Sequence, residues 1–171
     1  MGLDMYLNKK IYITSKDNIT LNINGVEIKQ EIDIITLNIM YWRKSNSVHN
    51  WFVENIQGGA DDCGEYYVSI EKLEKLLEDC EEDVKYLKSL TIDIKWLTND
   101  NGTQFYIKGF ENLDENELNL RTVSGFFFGS TEYDENYLRD LERTIIELKK
   151  ILDNEKSNPE ISSSIYYQAS W

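Results

Sequence analysis

Along its first third the chain changes hydrophobic period. Residues 3–14 mix apolar and polar positions around β-branched Ile11, Ile13 and Thr14, and residues 19–36 do the same on either side of Asn24-Gly25. Asn-Gly between alternating runs is the strongest short-range signal for a tight hairpin, so at least three strands are predicted before residue 37. From about 38 to 56, Tyr41, Ser45, Val48, Phe52 and Ile56 recur at helical spacing and predict a helix with that stripe on the core. Trp42, Asn46, His49 and Val53 then fall on a neighbouring stripe, and Trp51 lies roughly opposite the core with Lys44 and Ser47.

Gly58-Gly59 breaks this pattern, so residues 57–64 read as a loop before a short strand over 65–70, dominated by Tyr66, Tyr67 and Val68. Ser69 is suited to cap the next helix, whose buried face is Leu73, Leu76, Leu77, Cys80, Val84 and Leu87. Residues 92–110 alternate about Asn99-Asp100-Asn101-Gly102 and predict a second hairpin, and the acidic stretch 112–120 has some helical character. Residues 122–130, T-V-S-G-F-F-F-G-S, read as a buried strand, the alternative being a loop whose backbone approaches something closely. Thr131 then offers a cap for a long helix to about 154, with Tyr137, Leu138, Leu141, Ile145, Leu148 and Leu152 on one face. Beyond Pro159, residues 164–171 read as a last strand. Tyr166, Tyr167 and Trp171 so near the end predict a docked terminus where chains normally fray. Nothing divides the chain, which points to a single α+β domain over 1–171, mainly antiparallel sheet with about three helices packed on it.

Composition supports order nearly throughout. A chain of 171 residues with 41% apolar content and one proline can bury on the order of 70% of its unfolded surface. Cys63 and Cys80 are too few for a disulfide framework and form no C-x-x-C pair, so both are expected as buried thiols in a reducing compartment. Asp4, Lys9 and Lys10 precede any apolar run, unlike a signal peptide, and no window approaches a membrane span; a cytoplasmic protein is expected. A net charge of −13 opposes binding to duplex nucleic acid and permits an acidic decoy. The acids of 71–85, interleaved with Lys72, Lys75 and Lys85, read instead as a solvated helix face.

Candidate chemistry gathers in three places. In Tyr41-Trp42-Arg43-Lys44 through Asn46, His49 and Trp51, Arg43 offers bidentate pairing to phosphate or carboxylate, Lys44 a point charge, and the indoles a stacking surface. Asp61-Asp62-Cys63-Gly64-Glu65 suggests a Cys63 nucleophile with His49 as base and Asp62 or Glu65 as orienter, though no family signature accompanies it. The same carboxylates lack the spacing of a calcium loop, and one histidine with two separated cysteines is a poor zinc set, so neither metal nor cofactor is expected. Gly125 to Ser130 would bring backbone N–H groups toward a helix start, where anions are favoured.

Five patches, M-G-L-D-M-Y at the start, Y-W-R-K-S-N-S-V-H-N-W-F, C-G-E-Y-Y-V, G-F-F-F-G-S with Tyr133-Asp134 after it, and the terminal Y-Y-Q-A-S-W, resemble a family of small bacteriophage and prophage proteins. The resemblance implies a phage setting, the cytoplasm of a bacterial host, and a host-takeover or counter-defence role; it brings no catalytic residues with it. The expected function is capture of a small anionic, nucleotide-like ligand, through Trp42, Arg43, Lys44, Asn46, His49, Glu65, Tyr67, Ser124, Gly125 and Ser130. A hydrolase of a similar ligand, using Cys63, His49 and Glu65, and an acidic inhibitor of a host protein are the alternatives.

Overall fold

A computed structural model describes residues 2–13, 19–30 and 32–171; Thr14, counted above in the first run, lies outside them. The elements are β1 (Asp4–Tyr12), β2 (Ile19–Ile23), β3 (Val26–Gln30), β4 (Ile34–Arg43), α1 (Asn46–Asn55), β5 (Glu65–Val68), α2 (Ile70–Ser89), β6 (Ile92–Thr98), β7 (Gln104–Phe110), α3 (Glu135–Ser157) and β8 (Ser163–Ser170), with one short 3-10 turn at Glu115–Glu117. An antiparallel sheet of order β4-β1-β8-β5 forms the body, and β2-β3 and β6-β7 stand apart as two-stranded hairpins. Among the described residues the fold is a mixed α+β one with three helices and antiparallel sheets, as the periodicities predict.

Period-2 alternation sorts the sheet residues into two faces. Met5, Leu7, Met40, Trp42, Val68, Ile165, Tyr167 and Ala169 are buried and meet the helices, while Tyr6, Tyr41, Tyr67, Tyr166, Lys10 and Glu65 stand on the other face. Helices α2 and α3 pack along each other. Their surface is cross-linked by ion pairs Lys88–Glu142, Lys149–Glu81 and Lys156–Glu74. The caps follow local chemistry: the Ser69 hydroxyl accepts from the Lys72 N–H at the start of α2, as predicted.

Five expectations are corrected. The helix assigned to 38–56 begins only at Asn46, because residues 34–43 pair with β1, with Met5 opposite Trp42 and Leu7 opposite Met40. A register shift between Leu7 and Asn8 sets Ile39 in excess on β4, and that bulge breaks the alternation by which a strand is read. Trp42 and Trp51, expected off the core, are 1% and 3% exposed. Sheet, α2 and the 123–130 loop enclose α1 together, and the Trp51 indole donates to Asp79 of α2 at 2.8 Å. Residues 122–130 form a loop and no strand: Phe126 and Phe127 turn outward, Phe127 in the left-handed region at φ 66°, and Phe128 alone is buried. The cap of α3 is Asp134, not Thr131, because its carboxylate accepts from the N–H groups of both Asn136 (2.8 Å) and Tyr137 (3.1 Å). Cys80 is buried but Cys63 is exposed, in the loop before β5.

Candidate functional site

Between the end of β4 at Arg43 and the start of α1 at Asn46 the chain reverses within two residues. Lys44 makes the reversal in the left-handed region (φ 58°) while its N–H donates to the Leu3 carbonyl at 2.8 Å. Few lysines adopt that conformation, and here the 123–130 loop packs against it. Gly129, at φ 97°, lies so near that a Cβ on it would be 3.1 Å from Lys44 Cβ and 3.2 Å from the Lys44 carbonyl oxygen. Asn46 fastens the loop at both ends: its Nδ2 donates to the carbonyls of Ser130 (2.7 Å) and Phe128 (3.3 Å), and its Oδ1 accepts from the Val123 N–H (3.3 Å).

The turn, the pinned loop and the first two turns of α3 surround a cleft of about 330 Å³, lined by Arg43, Lys44, Ser45 and Asn46 on one wall and by Ser130, Arg139 and Asp140 on another. Helix α1 opens into it uncapped. Its N-cap residue Ser45 makes no side-chain cap bond, and no acidic residue sits in the first turn. Ser45 is 3% exposed and its hydroxyl has no hydrogen bond of good geometry, the Asp140 carboxyl being its neighbour. The partial positive charge of the helix start is therefore unspent.

Fixed positive charge adds to it. Among the described residues, eight lysines pair with carboxylates, whereas none of the four arginines is in an ion pair. Among the described residues Arg43 and Lys44 have no carboxylate within ion-pair distance, Arg139 donates to the Asn136 side chain (2.8 Å), and Arg143, one turn along α3, donates to the Tyr41 carbonyl (3.0 Å). Of the three carboxylates lining the cleft, Asp134 is committed to the α3 cap and Glu132 is exposed. Burial raises the pKa of Asp140, favouring its neutral form against the opposing pull of Ser45, Arg139 and Arg143.

Of the ten residues proposed from sequence, Arg43, Lys44, Asn46 and Ser130 meet at this cleft, and six do not. Trp42 is core, its indole N–H donating to Thr144 Oγ1 (2.9 Å) and its ring edge-on to Phe52. His49 is fully buried between the Tyr167 hydroxyl (Nδ1, 2.7 Å) and Asp61 (Nε2, 3.0 Å), an arrangement that a neutral ring protonated on Nε2 satisfies. Burial lowers its pKa, and the Asp61 carboxylate acts in the opposite direction. Glu65 forms an ion pair with Lys10 on the open sheet face, and Tyr67 lies edge-on to Tyr166 on the same face. Ser124 and Gly125 are exposed, and a Cβ on Gly125 would collide with the Phe128 ring at 2.4 Å.

The proposed Cys63–His49–carboxylate triad is not assembled. Both imidazole nitrogens are occupied by Tyr167 and Asp61, and Asp62 accepts from the Gly64 N–H (2.7 Å) and the Tyr66 hydroxyl (2.9 Å). Among the described residues no group of three or more His, Cys, Asp or Glu is placed to hold a metal ion, and no helix is long and apolar enough to cross a membrane. Ser45, Arg139 and Asp140 are cleft residues that the sequence pattern does not reveal. Arg139 reads there as one more solvated position on a helix, and only the packing of α3 beside β4 brings it to Arg43.

Fold and site together describe an α+β domain with a half-enclosed cleft where unpaired cations face a helix N-terminus. No protein-family model matches the chain, and no curated protein and no solved structure is significantly similar to it.

Proposed function

We propose that the protein binds a small phosphate-bearing ligand, nucleotide-like in chemistry, in the cleft between the β4–α1 turn and α3. The observation that carries this reading is the concentration of unpaired cations, Arg43, Lys44 and Arg139, around the uncapped start of α1 in a chain of net charge −13. Guanidinium forks and free helix N–H groups both suit phosphate oxygens. The buried Ser45 hydroxyl adds a donor. Exposed Phe126 and Phe127, on the loop that also carries Gly129 and Ser130, offer rings for a base to stack on.

Binding without turnover is favoured over hydrolysis because the nucleophile and base suggested by sequence are held apart from the cleft. The protein-inhibitor reading is weakened by α2, whose Glu74 and Glu81 are already paired with lysines of α3. In the phage setting implied by the sequence resemblance, retention of such a ligand would withdraw a host defence signal from solution.

A thermal-shift and calorimetric screen with inorganic phosphate and with mono-, di- and cyclic nucleotides tests the reading. Stabilisation by at least one nucleotide, abolished in an Arg43→Glu/Arg139→Glu variant, with the ligand recovered chemically unchanged, is expected. No stabilisation by any of them at saturating concentration, or equal binding by the double variant, would overturn it.

A further inference from the structure

The β6-β7 hairpin meets the body mainly through β7, and Lys95 of β6 lines a small cleft beside Glu115, Tyr133 and Asp134. Lys108 reaches Glu135 of α3, and Gly109 lies against the Tyr133 carbonyl. Strand β6 is left as the outer edge of a two-stranded sheet, every residue of Ile92–Thr98 but Asp93 being exposed. Its apolar side chains are unusually bare for a soluble edge: Ile92 is 59% exposed, Ile94 53% and Trp96 67%. An isolated two-stranded hairpin is marginal in water, and a free hydrophobic edge is a template for another strand.

The hydrogen-bond parity of β6 identifies which groups are free. The N–H of Glu111 donates to the Thr91 carbonyl and the N–H of Asn99 to the Thr103 carbonyl, so odd-numbered residues of β6 bond toward β7. The N–H and C=O groups of Ile92, Ile94 and Trp96 therefore point to the open edge. An antiparallel partner must set even-numbered positions opposite even-numbered ones. For a second copy of β6, the register centred on Ile94 does this: Ile94 faces Ile94 of the other copy, and Ile92 faces Trp96.

Charge selects the same register. Asp93 and Lys95 have no ion-pair partner among the described residues, and each would stand opposite the other's counterpart, at the closely spaced non-hydrogen-bonded positions. Moving the centre to residue 93 opposes two aspartates, and moving it to residue 95 opposes two lysines. We infer that two copies of this chain associate about a two-fold axis at Ile94, joining their β6 edges into one four-stranded sheet with Ile92, Ile94, Trp96, Tyr106 and Lys108 of both copies on a common face. Such an isologous contact closes on itself, and a pair of chains is complete.

Sedimentation velocity on the full chain near physiological ionic strength, where long-range repulsion between two acidic chains is screened beyond ~8 Å, is expected to show a concentration-dependent dimer. Asp93→Lys and Lys95→Asp each oppose like charges twice across the axis and should weaken association on the order of tenfold or more. The double exchange Asp93→Lys/Lys95→Asp restores complementarity and should restore the dimer. Far-UV circular dichroism establishes that each variant is folded; if a single variant is not, Lys95→Glu or Asp93→Arg takes its place. A monomeric wild type at its highest soluble concentration, single variants that dimerise as well as wild type, or a double variant that stays as weak as the singles would each overturn the inference.

Discussion

Replacing Asp83 by alanine is expected to cost this fold about 3 kcal/mol, because that one carboxylate of α2 holds the backbone of residues 119 and 120. Asp83 sits fully buried on α2. Its Oδ1 accepts from the Asn119 N–H (2.8 Å) and Asn119 Nδ2 (3.1 Å), and its Oδ2 accepts from the Leu120 N–H (2.9 Å). The Tyr137 hydroxyl of α3 is 3.2 Å from Oδ2 but only 2.7 Å from the Leu120 carbonyl, which takes its single proton. Alanine thus strands two backbone donors while leaving the tyrosine bond in place. A buried unsatisfied donor costs roughly 1–3 kcal/mol; Leu120 N–H belongs at the upper end and half-solvated Asn119 N–H at the lower. Relief of a desolvated carboxylate, whose pKa burial raises, offsets part of the sum. In a domain of this size ~3 kcal/mol lowers Tm by about 6–12 °C. Urea unfolding followed by tryptophan fluorescence measures it, with Asp83→Asn as the graded control: its Oδ1 keeps both Asn119 bonds, but its amide sets a donor against the Leu120 N–H. A loss below about 0.5 kcal/mol for the alanine variant, the range of ordinary surface changes, would refute the reasoning.

His49 gives a pH signature that can be isolated, since it is the only histidine. Its folded pKa is lowered, so the unfolded chain binds the proton more readily and stability falls as pH drops below about 6.5; the unfolding free energies of wild type and His49→Gln should therefore converge on acidification, and parallel curves would exclude this account. Thr144→Val removes the acceptor of the Trp42 indole N–H in the core and is expected to destabilise by about 1–3 kcal/mol in the same unfolding assay. Asn46→Ala releases both ends of the 123–130 loop, so phosphate or nucleotide binding should be lost in calorimetry while the protein remains folded; unchanged affinity would show that the pinned loop does not shape the cleft.

Much of the framework is legible in the sequence because it depends on neighbours along the chain. Asn24 and Gly25, both at positive φ, make the first hairpin, Asn99 to Gly102 turn the second, and Ser69 caps α2. The leucine stripes of α2 and α3 and the tyrosine-rich β8 fall where period alone sets them. Each of these needs only a local rule of spacing or capping. What tertiary structure decided involves competition between distant partners. Residues 38–43 satisfy a helical pattern, yet pairing with β1 satisfies their backbone and buries Trp42 and Met40 together. Three phenylalanines look like a strand until Asn46 fixes the loop ends and leaves two rings outside. The cleft belongs to the same class. Arg43 and Lys44 were visible as a basic spot, but Arg139, Asp140 and the uncapped Ser45 join them only when α3 packs beside the end of β4. Sequence spacing specifies contacts within a turn or a hairpin, whereas a site assembled from elements far apart in the chain exists only once packing has chosen which of their faces meet.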